Sequence, residues 1–176
     1  MVMADKPVSM EVAMHFGQLL AREARLLNQF QYDEWVNLLH PDIHYSVPSR
    51  RSHTMRANRD SDVRRISLDH YDDDLRILKM KIKRLQHPGP SSVDPRPREV
   101  RVVSNIEVFN GDRVDDYLVY SVIVLYRNRL LDEDGSIAGS RADVWRGSLD
   151  DGFKLYRRTV EITQNTMLLA NMNGFL

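Results

Sequence analysis

From residue 100 onward the sequence keeps a period of two, and this constrains the fold more than any other feature. Apolar and polar residues alternate through 100–108, 115–129, 140–149 and 153–163. Alternation of this kind specifies strands. The runs are separated by Asn110-Gly111, Asp134-Gly135 and Asp150-Asp151-Gly152, residues that accept tight hairpin turns. Strands joined this way lie antiparallel, so the second half of the chain reads as a meander of four long strands. Val100, Val102, Ser104, Ile106 and Val108 are expected on one face of the first strand. Over 115–129 both faces are apolar, with Val119, Ser121, Ile123 and Leu125 on one and Leu118, Tyr120, Val122, Val124 and Tyr126 on the other. Such a strand lies centrally or turns its second face to a partner. Gly135, Gly139, Gly147 and Gly152 supply bends for a strongly curved sheet.

The first half carries a helical period. Ser9 can cap a helix over 10–28, in which Val12, Phe16, Leu19, Leu20, Ala24 and Leu27 form one apolar stripe. Asp33 is the next expected N-cap, before a short helix that Pro41 stops. Ile43, Tyr45 and Val47 then make a brief strand closed by Pro48. Leu75, Leu78, Ile82 and Leu85 mark a third helix, which starts from Asp72-Asp73-Asp74 and ends among Lys79, Lys81, Lys83 and Arg84. Those charges suit both ends of the helix dipole. Residues 49–70 are dense in Arg, Asp and Ser and read as a surface excursion, since so many guanidinium groups resist unpaired burial. Residues 86–98 are a Pro-rich connection and 1–8 an N-terminal arm. The expected fold is a single α+β domain over 1–176, with N-terminal helices packed on a strongly curved, mostly antiparallel sheet. That layout resembles the NTF2-like (cystatin-like) cone.

Composition narrows the function. The 25 Lys and Arg balance the 25 Asp and Glu over 176 residues, which argues against a nucleic-acid binder and suits a member of an assembly. No cysteine is present, so this chain can form no disulfide, thiolate nucleophile or Cys-ligated iron–sulfur cluster. The N-terminal residues contain no apolar stretch of signal-peptide length, and the longest apolar run, 122–125, is far short of the ~20 residues of a membrane span. A cytoplasmic protein is expected.

Few side chains suggest chemistry. His40 and His44 are four apart, but Pro41 prevents one helix from bringing them together, and His15 lacks a carboxylate at ligand spacing. His70 lies two residues from Asp72, a pair that could relay a proton, although a surface histidine near a helix start explains it as well. No set of two histidines and a carboxylate is specified. A general acid–base site inside an aromatic cone would draw on Asp42, His44, Tyr45, Tyr120, Asp143 and Trp145. Against it, Arg141 and Asp143 share a side of one strand and read as an ion pair; a guanidinium neighbour lowers a carboxyl pKa, the wrong direction for a base at neutral pH. The stretch 135–139 lacks the Lys-Ser/Thr of a phosphate loop. No catalytic or metal-ligating residue is assigned. Tyr126, Arg127, Arg129, Arg141, Asp143, Trp145 and Arg146 are instead candidates for ion pairs and aromatic anchors, between strands or between subunits. The apolar tail 164–176 is expected to pack against the chain itself or a partner.

Ordered motifs over about 150 residues carry a family resemblance. They are residues 23–28 (Glu-Ala-Arg-Leu-Leu-Asn), Glu34-Trp35, residues 42–45 (Asp-Ile-His-Tyr) and Pro48, then residues 70–74 (His-Tyr-Asp-Asp-Asp) and 103–105 (Val-Ser-Asn). Residues 126–129 (Tyr-Arg-Asn-Arg), 141–146 (Arg-Ala-Asp-Val-Trp-Arg) and the apolar tail complete them. The sequence resembles the small (beta) subunits of aromatic-ring-hydroxylating dioxygenases of the naphthalene and biphenyl type. The resemblance implies a subunit with the NTF2-like cone that trimerises and supports three catalytic large (alpha) subunits in a hexamer. The large subunit would hold the Rieske [2Fe-2S] cluster and mononuclear Fe(II), and would add both atoms of O2 to an aromatic hydrocarbon to give a cis-dihydrodiol. Two alternatives stay open on the residues alone: a free-standing NTF2-like isomerase or dehydratase, and a non-enzymatic cone that binds a small apolar molecule.

Overall fold

A computed structural model of the protein describes residues 6–48, 70–87, 97–129, 133–164 and 174–176. The Arg-rich excursion apart from His70, most of the Pro-rich connection, the first five residues of the arm and tail residues 165–173 lie outside the described residues.

Helix α1 (Met10–Asn28) starts at Ser9, whose hydroxyl accepts from the Val12 N–H at 3.3 Å. Its stripe of Phe16, Leu19, Leu20, Ala24 and Leu27 is buried, with Glu23 in its midst. The helix closes in a Schellman turn, in which the Gln31 N–H donates to the Leu26 carbonyl at 2.9 Å and the Phe30 N–H to Leu27 at 3.2 Å. Phe30, rather than a glycine, holds the left-handed position at φ 57°. Helix α2 (Tyr32–Val36) begins two residues earlier than an N-cap at Asp33 predicts, so Asp33 sits in its first turn and Gln31 precedes it without a side-chain cap. In α3 (Leu75–Gln86) the expected acidic start is Asp74 alone, whose carboxylate accepts from the Ile77 N–H at 2.7 Å.

The strands are β1 (Lys6–Pro7), β2 (Leu39–Val47), β3 (Tyr71–Asp73), β4 (Arg98–Asn110), β5 (Asp116–Arg129), β6 (Glu133–Ser148) and β7 (Gly152–Ile162). They form one sheet in the order β1-β4-β5-β6-β7-β2-β3, antiparallel throughout except where β2 joins β7. This is the expected α+β cone with four long strands at its centre. Asp72 and Asp73 belong to β3 and pair with β2, not to the third helix. Asp134 and Gly135 are not a turn: they continue the ladder opposite Asn128 and Arg127.

Three irregularities re-aim side chains. In β4 the register shifts between Ser104 and Glu107, and Asn105 takes φ 52°. Val100 and Val102 therefore face outward, at 54% and 55% exposure, whereas Val108 lies opposite the buried Val119. The five residues expected on one face are split between two because a bulge inserts an unpaired residue. In β2 the register slips between Leu39 and His44, which places Pro41 where its missing N–H costs no ladder bond. In β7, Val144 faces Arg157 and Trp145 faces Leu155, so Tyr156 is the extra residue. The inward series on β7 thus runs Phe153, Leu155, Arg158, Val160.

Candidate functional site

Inside the cone, Arg158 on β7 is fully buried and sits between two carboxylates. Its Nη1 and Nη2 donate to Glu23 Oε1 and Oε2 at 2.7 and 2.9 Å, while Nε and Nη2 donate to Asp143 Oδ1 and Oδ2 at 2.9 and 2.7 Å. Arg141 Nη2 reaches Glu23 Oε2 at 3.2 Å and Asp143 Oδ2 at 3.5 Å. Indole N–H groups complete the set, Trp35 to Glu23 at 3.1 Å and Trp145 to Asp143 at 3.4 Å. Two acids and two guanidiniums cancel in charge, which is what allows four ionised side chains to leave water together.

Burial by itself raises the Glu23 carboxyl pKa. The charges of Arg158 and Arg141, with hydrogen bonds from Arg158 and Trp35, outweigh that and bring it down to about 2. Burial likewise works against the Arg158 charge, yet Asp143 and Glu23 hold it well above the ordinary guanidinium value. A carboxylate clamped in this way is a poor proton acceptor at neutral pH. The isomerase alternative requires the opposite, a carboxyl raised toward neutrality. Tyr45 is no readier: burial first, opposed by Arg158, leaves its phenol above the usual value.

The other acid–base candidates are scattered. Asp42 is a surface carboxylate, and Tyr120 lies on the outer face of the sheet, edge-on to Phe109. His44 pairs through Nε2 with Asp72 Oδ1 at 2.6 Å on the surface, so the partner of Asp72 is His44 and not His70. His40 stands edge-on to Tyr156 and His15 leans on Phe153. Among the described residues no group of three or more His, Asp or Glu is placed to hold a metal ion. Without cysteine, a Rieske cluster does not fit this chain.

Of the seven interface candidates, Arg141, Asp143 and Trp145 are not surface residues: the β6 register turns them into the cone, where Arg141 and Asp143 make the expected ion pair within one chain. Arg127 also points inward, with Nε 3.9 Å from Glu99 Oε1. Arg146 stacks on Tyr156 and binds Asp116 at 2.7 Å. Arg129 closes β5 and is half-buried. Tyr126 faces outward beside Val100, Val102, Val124 and Tyr120, all at least one-third exposed. In register, Val100 opposes Tyr126 and Val102 opposes Val124, which makes the patch continuous across β4 and β5. Glu23, Glu99, Arg101 and Arg158 are the interior groups that sequence reasoning missed. Glu23 carried a signal, a carboxylate on an otherwise apolar helix stripe.

Comparison with known proteins places this architecture. The chain is 32% identical over 170 residues to the beta subunit of biphenyl 2,3-dioxygenase from Rhodococcus jostii (strain RHA1), covering 96% of this chain and 91% of that one. It is 33% identical over 170 residues to the benzene 1,2-dioxygenase beta subunit from Pseudomonas putida, with the same coverage of 96% and 91%. A solved naphthalene 1,2-dioxygenase with indole bound in its active site superposes with a TM-score of 0.82 at 21% identity, covering 96% of this chain and 88% of that one. Residues 22–169 match the family model described as ring hydroxylating beta subunit. The family match covers most of the chain and the relatives nearly all of it, and the chain belongs to the ring-hydroxylating dioxygenase beta-subunit family, a component of an oxidoreductase assembly.

Proposed function

We propose that this chain trimerises and supports three large subunits in a hexamer, in the cytoplasm. The large subunits hold the Rieske [2Fe-2S] cluster and the mononuclear iron, and this chain contributes shape and adhesion. The observation that carries the reading is the outer face of β4 and β5, where Val100, Val102, Tyr120, Val124 and Tyr126 form an exposed apolar patch. Contiguous apolar surface rimmed by charge is what a subunit interface needs. Tyr126 is its aromatic anchor, and Arg129 and Arg146 serve at its margins. Arg127, Arg141, Asp143 and Trp145 act from inside by fixing the curvature of the strands that carry the patch. The assembled oxygenase adds both atoms of O2 to an aromatic hydrocarbon to give a cis-dihydrodiol. Relatives named for biphenyl and benzene support one- and two-ring hydrocarbons as its substrates.

The test is co-expression with the large subunit, followed by sedimentation and iron analysis. The expected result is a single hexameric species whose iron and Rieske absorption disappear when this chain is purified alone. A monomer that never joins the large subunit, or a redox metal bound to the isolated chain, overturns the reading.

A further inference from the structure

The cone is filled by the chain itself. Phe175 is 2% exposed and Leu176 fully buried, in the same core as Tyr32, Trp35 and Tyr45. The Phe175 ring stacks on Trp35 with centroids 4.5 Å apart and meets Tyr32 and Tyr45 edge-on. The backbone of the segment is held by side chains rather than by a strand ladder. Tyr71 donates to the Gly174 carbonyl at 3.2 Å and Arg101 Nε to that of Phe175 at 2.8 Å. At Leu176 the carbonyl accepts from the Tyr45 hydroxyl at 2.6 Å and from Arg158 Nη1 at 3.2 Å, and the N–H donates to Tyr45 Oη at 2.8 Å. Gly174 fits because a Cβ there would stand 3.2 Å from Arg101 Nη2.

Ordinary core packing needs only the two apolar side chains. Here four residues from four strands (Tyr45, Tyr71, Arg101 and Arg158) also read three consecutive carbonyls and one N–H, as a receptor reads a bound peptide. Buried polar groups are retained where each is satisfied, and they specify one geometry. We propose that the interior of the cone is a peptide-binding site for an aromatic–aliphatic pair, occupied in the native chain by residues 174–176. A chain whose own segment is weakened therefore takes the same peptide from solution.

The test uses the full-length chain carrying Phe175→Ala and Leu176→Ala together. The probe is a synthetic peptide of residues 171–176, with a control peptide in which the Phe is Ala. Expected are a lowered melting temperature in the variant, saturable recovery on adding the peptide, and a matching change in tryptophan fluorescence from Trp35. The control peptide should bind at least tenfold more weakly, and the parent chain, whose site is filled, should not respond. A folded variant with no recovery overturns the proposal, as does equal binding by the parent chain. Should the variant not fold alone, refolding with the peptide decides: a restored cooperative melt supports the site, and none at millimolar peptide overturns it.

Discussion

Arg158 and Glu23, 135 residues apart in the chain, face each other through two nearly parallel hydrogen bonds of 2.7 and 2.9 Å. The contact ties α1 to β7 and so fixes how the helical layer sits on the sheet. Replacing Glu23 by Gln keeps the shape and removes the charge, leaving Arg158 and Arg141 to share Asp143. Breaking a buried pair from one side costs roughly 3–5 kcal/mol. The expected result is a lower urea midpoint at unchanged slope. Glu23→Leu combined with Arg158→Met should lose less than Glu23→Gln alone, because no charge is then stranded. A midpoint unmoved by Glu23→Gln would show the network to be solvated.

The same carboxylate gives a pH dependence whose sign is fixed. In the folded chain the guanidiniums of Arg158 and Arg141 hold the Glu23 carboxyl down at about 2, against an ordinary value of 4.5. The unfolded chain therefore binds the proton first as pH falls. The contribution of Glu23 to stability is complete above about pH 4.5, declines as pH drops through the window, and is gone below about 2. A depression of that size corresponds to roughly 3 kcal/mol. Urea unfolding at about pH 6 and about pH 2 spans that window, and Glu23→Gln should shrink the difference between the two.

Much of this was legible beforehand, and the rest was hidden for identifiable reasons. The stripe of α1, the Leu75, Leu78, Ile82 and Leu85 rhythm of α3 and the alternation of β5 predicted their elements because helix and strand periods survive when no residue is inserted. Single insertions erased the pattern elsewhere. The bulge at Asn105 split Val100 and Val102 from Val108, and the extra Tyr156 turned Arg158 inward where strict alternation would have placed Arg157. Arg141 and Asp143 were recognisable as a pair on one strand. Their burial was not, because it depends on Glu23 and Arg158, which come from opposite ends of the chain.

The β6–β7 turn sets the register that brings Asp143 opposite Arg158. Gly147 has φ 136°, and a Cβ there would stand 2.0 Å from the Gly152 carbonyl oxygen. Backbone cannot yield to that approach as a flexible side chain would. Gly147→Ala is expected to cost about 3 kcal/mol or more, through the clash and the strained φ together. Gly152 has φ 78° with open space around the missing Cβ, so Gly152→Ala pays only for its left-handed backbone, roughly 1–2 kcal/mol. Chemical denaturation of the two variants side by side checks the order. Equal losses would mean that the turn relaxes around the added methyl.

The outer patch predicts a separation of folding from assembly. Val102 and Val124 oppose each other across β4 and β5, 55% and 36% exposed, and neither belongs to the interior core. Lysine at either position keeps its alkyl stem on the sheet and its ammonium in water while the chain is alone. In an interface the same ammonium must be desolvated without a partner. Val102→Lys and Val124→Lys should therefore leave the melting temperature of the isolated chain within a few degrees of the parent, while sedimentation of the co-expressed complex shifts toward smaller species. Val114→Lys, at a fully exposed position in the β4–β5 turn, is the control that should change neither. Full-sized assemblies from both patch variants would move the interface to another face of the cone.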